Sequence, residues 1–253
     1  MTSTILVTGG TGTLGRAVVP LLREAGVPVR VLTRHPRPAA DGVEYVAGDL
    51  VAGTGVEAAV AGVDTILHLA GGQKGDDVAA ATLVRAAAAG GVKHIVHISV
   101  IGADRMPLAW MRMKLAAEEA VRESGVPWTI LRAAQFHSLI LTIVEKMAKL
   151  PVVPAPKMRA EPVDARDVAV RLVELALGDP AGLVPDLAGP QVFDLADLLR
   201  GYLRATGRRR PLLPLGLPGA AGRAYKNGEN LAGRGADRGA RTWEAFLAER
   251  VTR

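Results

Sequence analysis

Ile5-Leu6-Val7-Thr8-Gly9-Gly10-Thr11-Gly12-Thr13-Leu14-Gly15-Arg16-Ala17-Val18 decides the fold. An apolar, β-prone run meets three glycines at equal spacing, Gly9, Gly12 and Gly15, and a helical pattern begins straight after them. Glycine suits a turn that is tight and whose backbone N–H groups must come close to a pyrophosphate; the helix that follows adds partial positive charge. Gly15 lets that helix pack closely on the strand. Gly9, Thr11, Gly12, Thr13, Leu14 and Gly15 are therefore candidate phosphate contacts. The plain alternative is an ordinary strand-to-helix turn, but its place between the first strand and the first helix favours nucleotide binding.

Working outward, apolar runs and helical stretches alternate through residue 150. Strands are expected at Thr4–Thr8, Val27–Thr33, Val43–Ala47, Thr65–Leu69, His94–Ile98 and Trp128–Leu131. Helices are expected at Leu14–Ala25, Val56–Ala61, Asp76–Ala89, Leu108–Ser124 and Phe136–Leu150. The strand runs are nearly continuous in apolar character, as in a parallel sheet covered on both faces. The fold class is α/β, a doubly wound parallel (Rossmann) sheet with a small C-terminal lobe over the substrate. Residues 1–150 form the nucleotide-binding core and 151–253 the lobe, continuous with it as one structural domain. In the lobe, helical patterns at Ala165–Leu177, Asp194–Thr206 and Thr242–Arg250 alternate with Pro-rich stretches. Gly216–Gly239, rich in Gly, Ala and Arg, is expected as a mobile loop.

Of 253 residues, 49% are hydrophobic and 22% charged, enough for a sizeable core and against global disorder. With no cysteine, disulfides, thiolate metal sites and cysteine nucleophiles are excluded. The longest uncharged apolar run, Ala133–Val144, contains Gln135 and His137 and is too short to span a membrane. The start lacks a basic segment ahead of its apolar run, so the chain is expected in the cytoplasm. The net charge of +6 arises entirely at the C-terminal end, where residues 200–253 hold 12 basic and 4 acidic side chains. Such an excess can suggest nucleic acid, but the lack of interleaved aromatics and of finger spacing argues against it and leaves a candidate surface for a protein partner. No metal site is expected: His94 and His97 lie three apart in a strand, which sends them to opposite faces, and His68 stands in another strand.

The run Thr8–Gly15 (TGGTGTLG) resembles the short-chain dehydrogenase/reductase superfamily, in particular its atypical, NmrA-like NAD(P)H-binding branch. The likeness extends along nearly the whole chain. It includes Arg34 after the second strand, Gly48–Asp49–Leu50 after the third and Leu69–Ala70–Gly71–Gly72 after the fourth. Ser99, Lys114, Leu131–Arg132 and the run Pro162–Ala169 continue it. The resemblance implies that Asp49 and Leu50 border the adenine and that Ala70 and Gly71 let the coenzyme pass over the sheet edge. Charge bears on the coenzyme choice. NAD-preferring sites carry an acidic residue at the end of the second strand. Here Val31–His35 holds none, and Arg34 can pair with a 2′-phosphate, so NADP(H) is expected. Arg37 could assist or simply be exposed.

Enzymes of this superfamily use a Tyr-x-x-x-Lys pair with a nearby serine. This chain has Lys114 and Ser99, but Trp110 stands where the tyrosine would be, and an indole N–H does not titrate. The resemblance implies that Lys114 holds the nicotinamide ribose and Ser99 polarises an acceptor oxygen, although Ser99 could equally cap a strand end. His137 is a candidate proton carrier or a helix-start residue without catalytic duty. The favoured expectation is an NADPH-dependent reductase of a small carbonyl or quinone-type substrate. The alternative is a catalytically silent NADP(H)-binding sensor of the NmrA-like type, and a sugar-nucleotide epimerase ranks last because it relies on the missing tyrosine.

Overall fold

The computed structural model describes residues 4–35, 38–39, 42–72 and 74–251. The first elements are β1 (Ile5–Thr8), α1 (Gly15–Glu24), β2 (Val29–Thr33), β3 (Val43–Ala47), α2 (Val56–Val60), β4 (Thr65–His68) and α3 (Asp76–Ala89). Then come β5 (His94–Val100), α4 (Ala109–Arg122), β6 (Trp128–Ala133), α5 (His137–Met147), β7 (Val153–Pro156) and β8 (Arg159–Ala160). The chain continues through α6 (Ala165–Leu177), β9 (Gly182–Leu183), β10 (Leu187–Ala188), β11 (Phe193–Asp194) and α7 (Leu195–Ala205). It ends with β12 (Leu212–Leu215), α8 (Gly219–Asn227), β13 (Asp237–Arg238) and α9 (Trp243–Arg250).

Two compact units result, each drawing on both sides of residue 150. One comprises Met1–Ser99, Arg112–Leu131 and Val168–Val184; the other comprises Val100–Met111, Arg132–Asp167 and Pro185–Arg253. The first unit is the Rossmann sheet. Its strands lie in the order β3-β2-β1-β4-β5-β6, with β9 beside β6. The pairings β1–β2, β1–β4, β2–β3 and β4–β5 are all parallel. All four residues of β1 are buried, as a central strand covered on both faces requires. Helices follow the strands because apolar residues recur one turn apart: Val18 and Leu22 of α1, and Ala79, Leu83 and Ala86–Ala87 of α3, are buried. Leu6, Ile66, Ile95 and Ile130 from the strands meet Leu83, Ala87 and Val121 from α3 and α4 in one core. The register sets Thr8 beside His68 and His68 beside His97, a row that joins the carboxyl ends of β1 and β4 to the middle of β5.

The second unit is built around α7. Leu195, Leu198, Leu199, Tyr202 and Leu203 form one buried stripe on it, at the spacing of a helix face. Ile140 and Val144 of α5, Val153 and Ala155 of β7, and Trp243, Phe246 and Leu247 of α9 complete that core. The two Pro-rich stretches pair with each other: β7 and β12 run parallel from Val153 beside Leu212 to Pro156 beside Leu215. Proline is tolerated there because each strand of a two-stranded ribbon has one unpaired edge. Asp164 caps α6, its carboxylate accepting from the Arg166 amide at 2.9 Å, from the Arg166 guanidinium at 2.8 Å and from Arg241 Nε at 3.1 Å. Glu249 on α9 joins the same network through Arg166 and Arg241.

The segment expected as a mobile loop is structured. Within it α8 spans Gly219–Asn227 and buries Ala224 against Met106 and Met111. Ala220, Ala221, Arg223, Ala224 and Lys226 are strong helix formers, which the glycines around them obscure in the sequence. No helix among the described residues is long and apolar enough to cross a membrane.

Candidate functional site

The chain leaves the sheet at Thr8 and turns at Gly9 with φ of 68°. That angle is strained for any residue with a Cβ, and a Cβ here would lie 2.7 Å from the amide nitrogen of Ala70. The turn therefore rests directly on the exit of β4. It is braced by the Gly12 amide donating to the Gly9 carbonyl at 2.9 Å and by Arg16 Nε donating to the Thr11 carbonyl at 3.0 Å. No side chain caps α1 at Leu14; the Arg16 amide donates to the Gly12 carbonyl and the Ala17 amide to the Leu14 carbonyl, each at 3.0 Å. Gly12 and Thr13 are exposed, whereas Leu14 and Gly15 are buried.

Arg34 is exposed at the end of β2, and no carboxylate precedes it in that strand. Its charge reaches Asp49, whose carboxyl is held below the usual range mainly by accepting from the amides of Ala52 and Val51. Leu50, by contrast, packs in the core with Leu32 and Val56. Arg37 lies outside the described residues.

The loop after β4 brings several elements together. Ala70 donates its amide to Thr8 Oγ1 at 3.2 Å, and Thr8 Oγ1 hydrogen-bonds His68 Nδ1 at 2.6 Å. Lys114 on α4 forms an ion pair with Asp76, Nζ to Oδ2 2.5 Å, with side chains only 17% and 9% exposed. The other oxygen of Asp76 accepts from the Gly72 amide at 2.7 Å. A Cβ on Gly71 would stand 2.7 Å from Lys114 Nζ, so the ammonium lies against the bare glycine.

Ser99, near the end of β5, is buried and donates to Glu118 Oε1 at 2.5 Å. Glu118 is fully buried and pairs with Arg122 at 2.8 Å. Lys114, Glu118 and Arg122 follow one another at single-turn intervals on α4. His97 stacks on His68 with ring centroids 5.0 Å apart. Burial first, and the Lys114 charge second, lower His68 to about 3; burial also pushes His97 well below its usual range, helped by His68 and Lys114. Both rings are neutral at physiological pH.

Gly9, Thr11, Gly12, Thr13, Leu14, Gly15, Arg34, Asp49, Leu50, Ala70, Gly71, Ser99 and Lys114 all belong to the first unit. His137 belongs to the second. Its ring is 1% exposed, set between Trp243 and Phe246 at centroid distances of 5.7 and 5.2 Å. Burial lowers its pKa, opposed by Asp164 3.9 Å away. That is the environment of a packed core histidine. Trp110, half-buried, packs with Leu108 and Tyr225 against Met106, Met111 and Ala224. Also in the second unit, Arg200, Arg204, Arg208, Arg209 and Arg210 line a cleft of about 470 Å³. No group of three metal-ligating side chains occurs among the described residues.

Sequence reasoning missed Asp76 and Glu118. Each had a signal: Asp76 is an acid opening a helix just after the Gly71–Gly72 pair, and Glu118 stands one turn beyond Lys114.

A family model described as NAD(P)H-binding matches residues 9–177. The chain is 33% identical over 213 residues to an NAD(P)H azoreductase of Xenophilus azovorans, covering 81% of this chain and 74% of that protein. It is 34% identical over 225 residues to a (4-alkanoyl-5-oxo-2,5-dihydrofuran-3-yl)methyl phosphate reductase of Streptomyces griseus, covering 85% and 78%. In fold it matches an NADPH-dependent quinone oxidoreductase of Escherichia coli, solved with NADPH, at a TM-score of 0.79 and 21% identity over 97% of this chain and 99% of that one. A family model matched over residues 9–177 and two reductase relatives at 33% and 34% identity place this chain in the NAD(P)H-binding family.

Proposed function

We propose that the chain is an NADPH-dependent reductase acting on a small carbonyl or quinone-type acceptor. The observation that carries this is the Lys114 ammonium held against Gly71 beside the glycine turn, all within one unit. The two reductase relatives support the reaction class. When bound, the coenzyme would supply the hydride that reduces the acceptor. The amides of the Gly9–Gly15 turn hold its pyrophosphate, Arg34 pairs with its 2′-phosphate, Asp49 borders its adenine, and Lys114 orients its nicotinamide ribose.

Ser99 can polarise an acceptor oxygen only after releasing Glu118, because its single proton is already donated there. His137 is assigned to packing, since its ring is 1% exposed and set between Trp243 and Phe246. The indole of Trp110 does not titrate, so the acceptor suited to this chain is one whose reduced oxygen or nitrogen takes its proton from water.

The test is NADPH consumption, followed at the absorbance of the reduced nicotinamide, against a panel of quinones, aromatic ketones and azo dyes. Turnover with at least one acceptor class is expected. Flat traces across the panel together with tight NADPH binding would favour the second reading, a catalytically silent coenzyme sensor. Trp110 is the observation on its side, and the arginine-lined cleft is the surface such a sensor would offer an acidic protein partner.

A further inference from the structure

Lysine carries a long, flexible stem and loses considerable rotamer freedom when its ammonium must meet a ligand at one point. A lysine already fixed before the ligand arrives avoids that cost. Lys114 is fixed in this way by Asp76, at 2.5 Å and nearly out of water, where charges interact more strongly than at the surface. Asp76 is itself held. Its second oxygen accepts from the Gly72 amide at 2.7 Å, and it stands in the first turn of α3, where the helix dipole favours a carboxylate. The ammonium so held lies against Gly71, the point of the chain that has no Cβ to obstruct it.

We propose that Asp76 is a positioning residue for the coenzyme: it ties the loop after β4 to α4 and holds the Lys114 ammonium over Gly71, ready for the nicotinamide ribose. This assignment rests on the coenzyme reading above and adds a residue to it. Asp76 never touches the reacting atoms; it acts through Lys114. Gly72, Asp76 and Lys114 thereby form one unit, in which the carboxylate serves the loop with one oxygen and the lysine with the other.

The test is a double-mutant cycle on the full chain, reading NADPH dissociation constants by calorimetry and thermal midpoints in parallel. Asp76→Asn keeps an acceptor for the Gly72 amide but removes the charge that holds Lys114. Asp76→Asn and Lys114→Met should each weaken NADPH binding about tenfold, and the double variant should bind no more weakly than Lys114→Met alone, since coupled residues are not additive. Effects that multiply in the double variant would overturn the proposal, as would an Asp76→Asn protein that binds NADPH as the wild type does. Should Asp76→Asn fail to fold, Asp76→Glu retains the charge one methylene out of place. It should bind NADPH several-fold more weakly at an unchanged thermal midpoint, and undiminished binding would count against the proposal. A wild-type chain indifferent to NADPH would sink the coenzyme reading itself, whereas binding that ignores Asp76 sinks only this one.

Discussion

At the scale of single residues, the chemistry turns on which side chains can still move a proton. Trp110 occupies a position one turn before Lys114 on α4, where a phenol would have a titratable proton and an indole has none. Trp110→Tyr should therefore leave kcat at the wild-type level or above it, with an unchanged KM for NADPH, in steady-state assays on the best acceptor. A fall of tenfold or more would mean that the indole itself shapes acceptor binding. Gly9, Gly12 and Gly15 were legible because spacing between strand and helix is a local property, whereas Arg34 was singled out by charge and Lys114 by the family resemblance. Asp76 and the Ser99–Glu118 pair were not legible in the same way, since each joins segments far apart in the chain. Such contacts depend on the sheet order, which no local pattern encodes.

At the scale of elements, the crossing of the β1–α1 turn over the end of β4 is a tight joint. Gly9→Ala would place a methyl 2.7 Å from the Ala70 amide nitrogen and force alanine into a left-handed conformation that costs roughly 1–2 kcal/mol before any overlap. Its thermal midpoint should fall by at least about 2 °C, with NADPH binding lost. An unchanged midpoint would show that the turn and β4 are not in contact. The elements of the sheet were readable from buried apolar runs and from the breakers between them. The strand at Val43–Ala47 and the helices at Asp76–Ala89 and Ala165–Leu177 were expected with the bounds they have. By contrast, α8 and the β7–β12 ribbon were hidden, one by glycine-rich flanks and the other because proline normally argues against strands.

At the scale of the whole molecule, buried neutral histidines set the response to acid. His68 is held at about 3, His97 well below its normal range, and His94 and His137 are also lowered, in each case chiefly by burial. An unfolded chain takes up protons at these histidines near pH 6.5 while the folded chain does not. Their contribution is thus complete above that pH and is lost as the pH falls below it, for His68 by about 1.4 kcal/mol per unit down to its folded value of about 3. Asp164 adds loss in the same direction lower down. Burial would raise its pKa, but the hydrogen bonds from Arg166, joined by Arg241, hold it at about 2. Denaturant unfolding at pH 7.5, 6.5 and 5.5 should show little change over the first step and a clear loss of stability over the second. Equal stability at pH 6.5 and 5.5 would mean that these rings are accessible to protons in the folded state.

The claim on which the functional account stands is that a 2′-phosphorylated coenzyme sits on the opening turn with Arg34 as its selector. Calorimetric titration of the wild type and of Arg34→Ala with NADPH and with NADH addresses it directly. The expected result is NADPH binding at least tenfold tighter than NADH, with that margin removed by Arg34→Ala while NADH binding stays the same. Equal affinity of the wild type for the two coenzymes, or NADPH affinity unaltered by loss of the guanidinium, would contradict it.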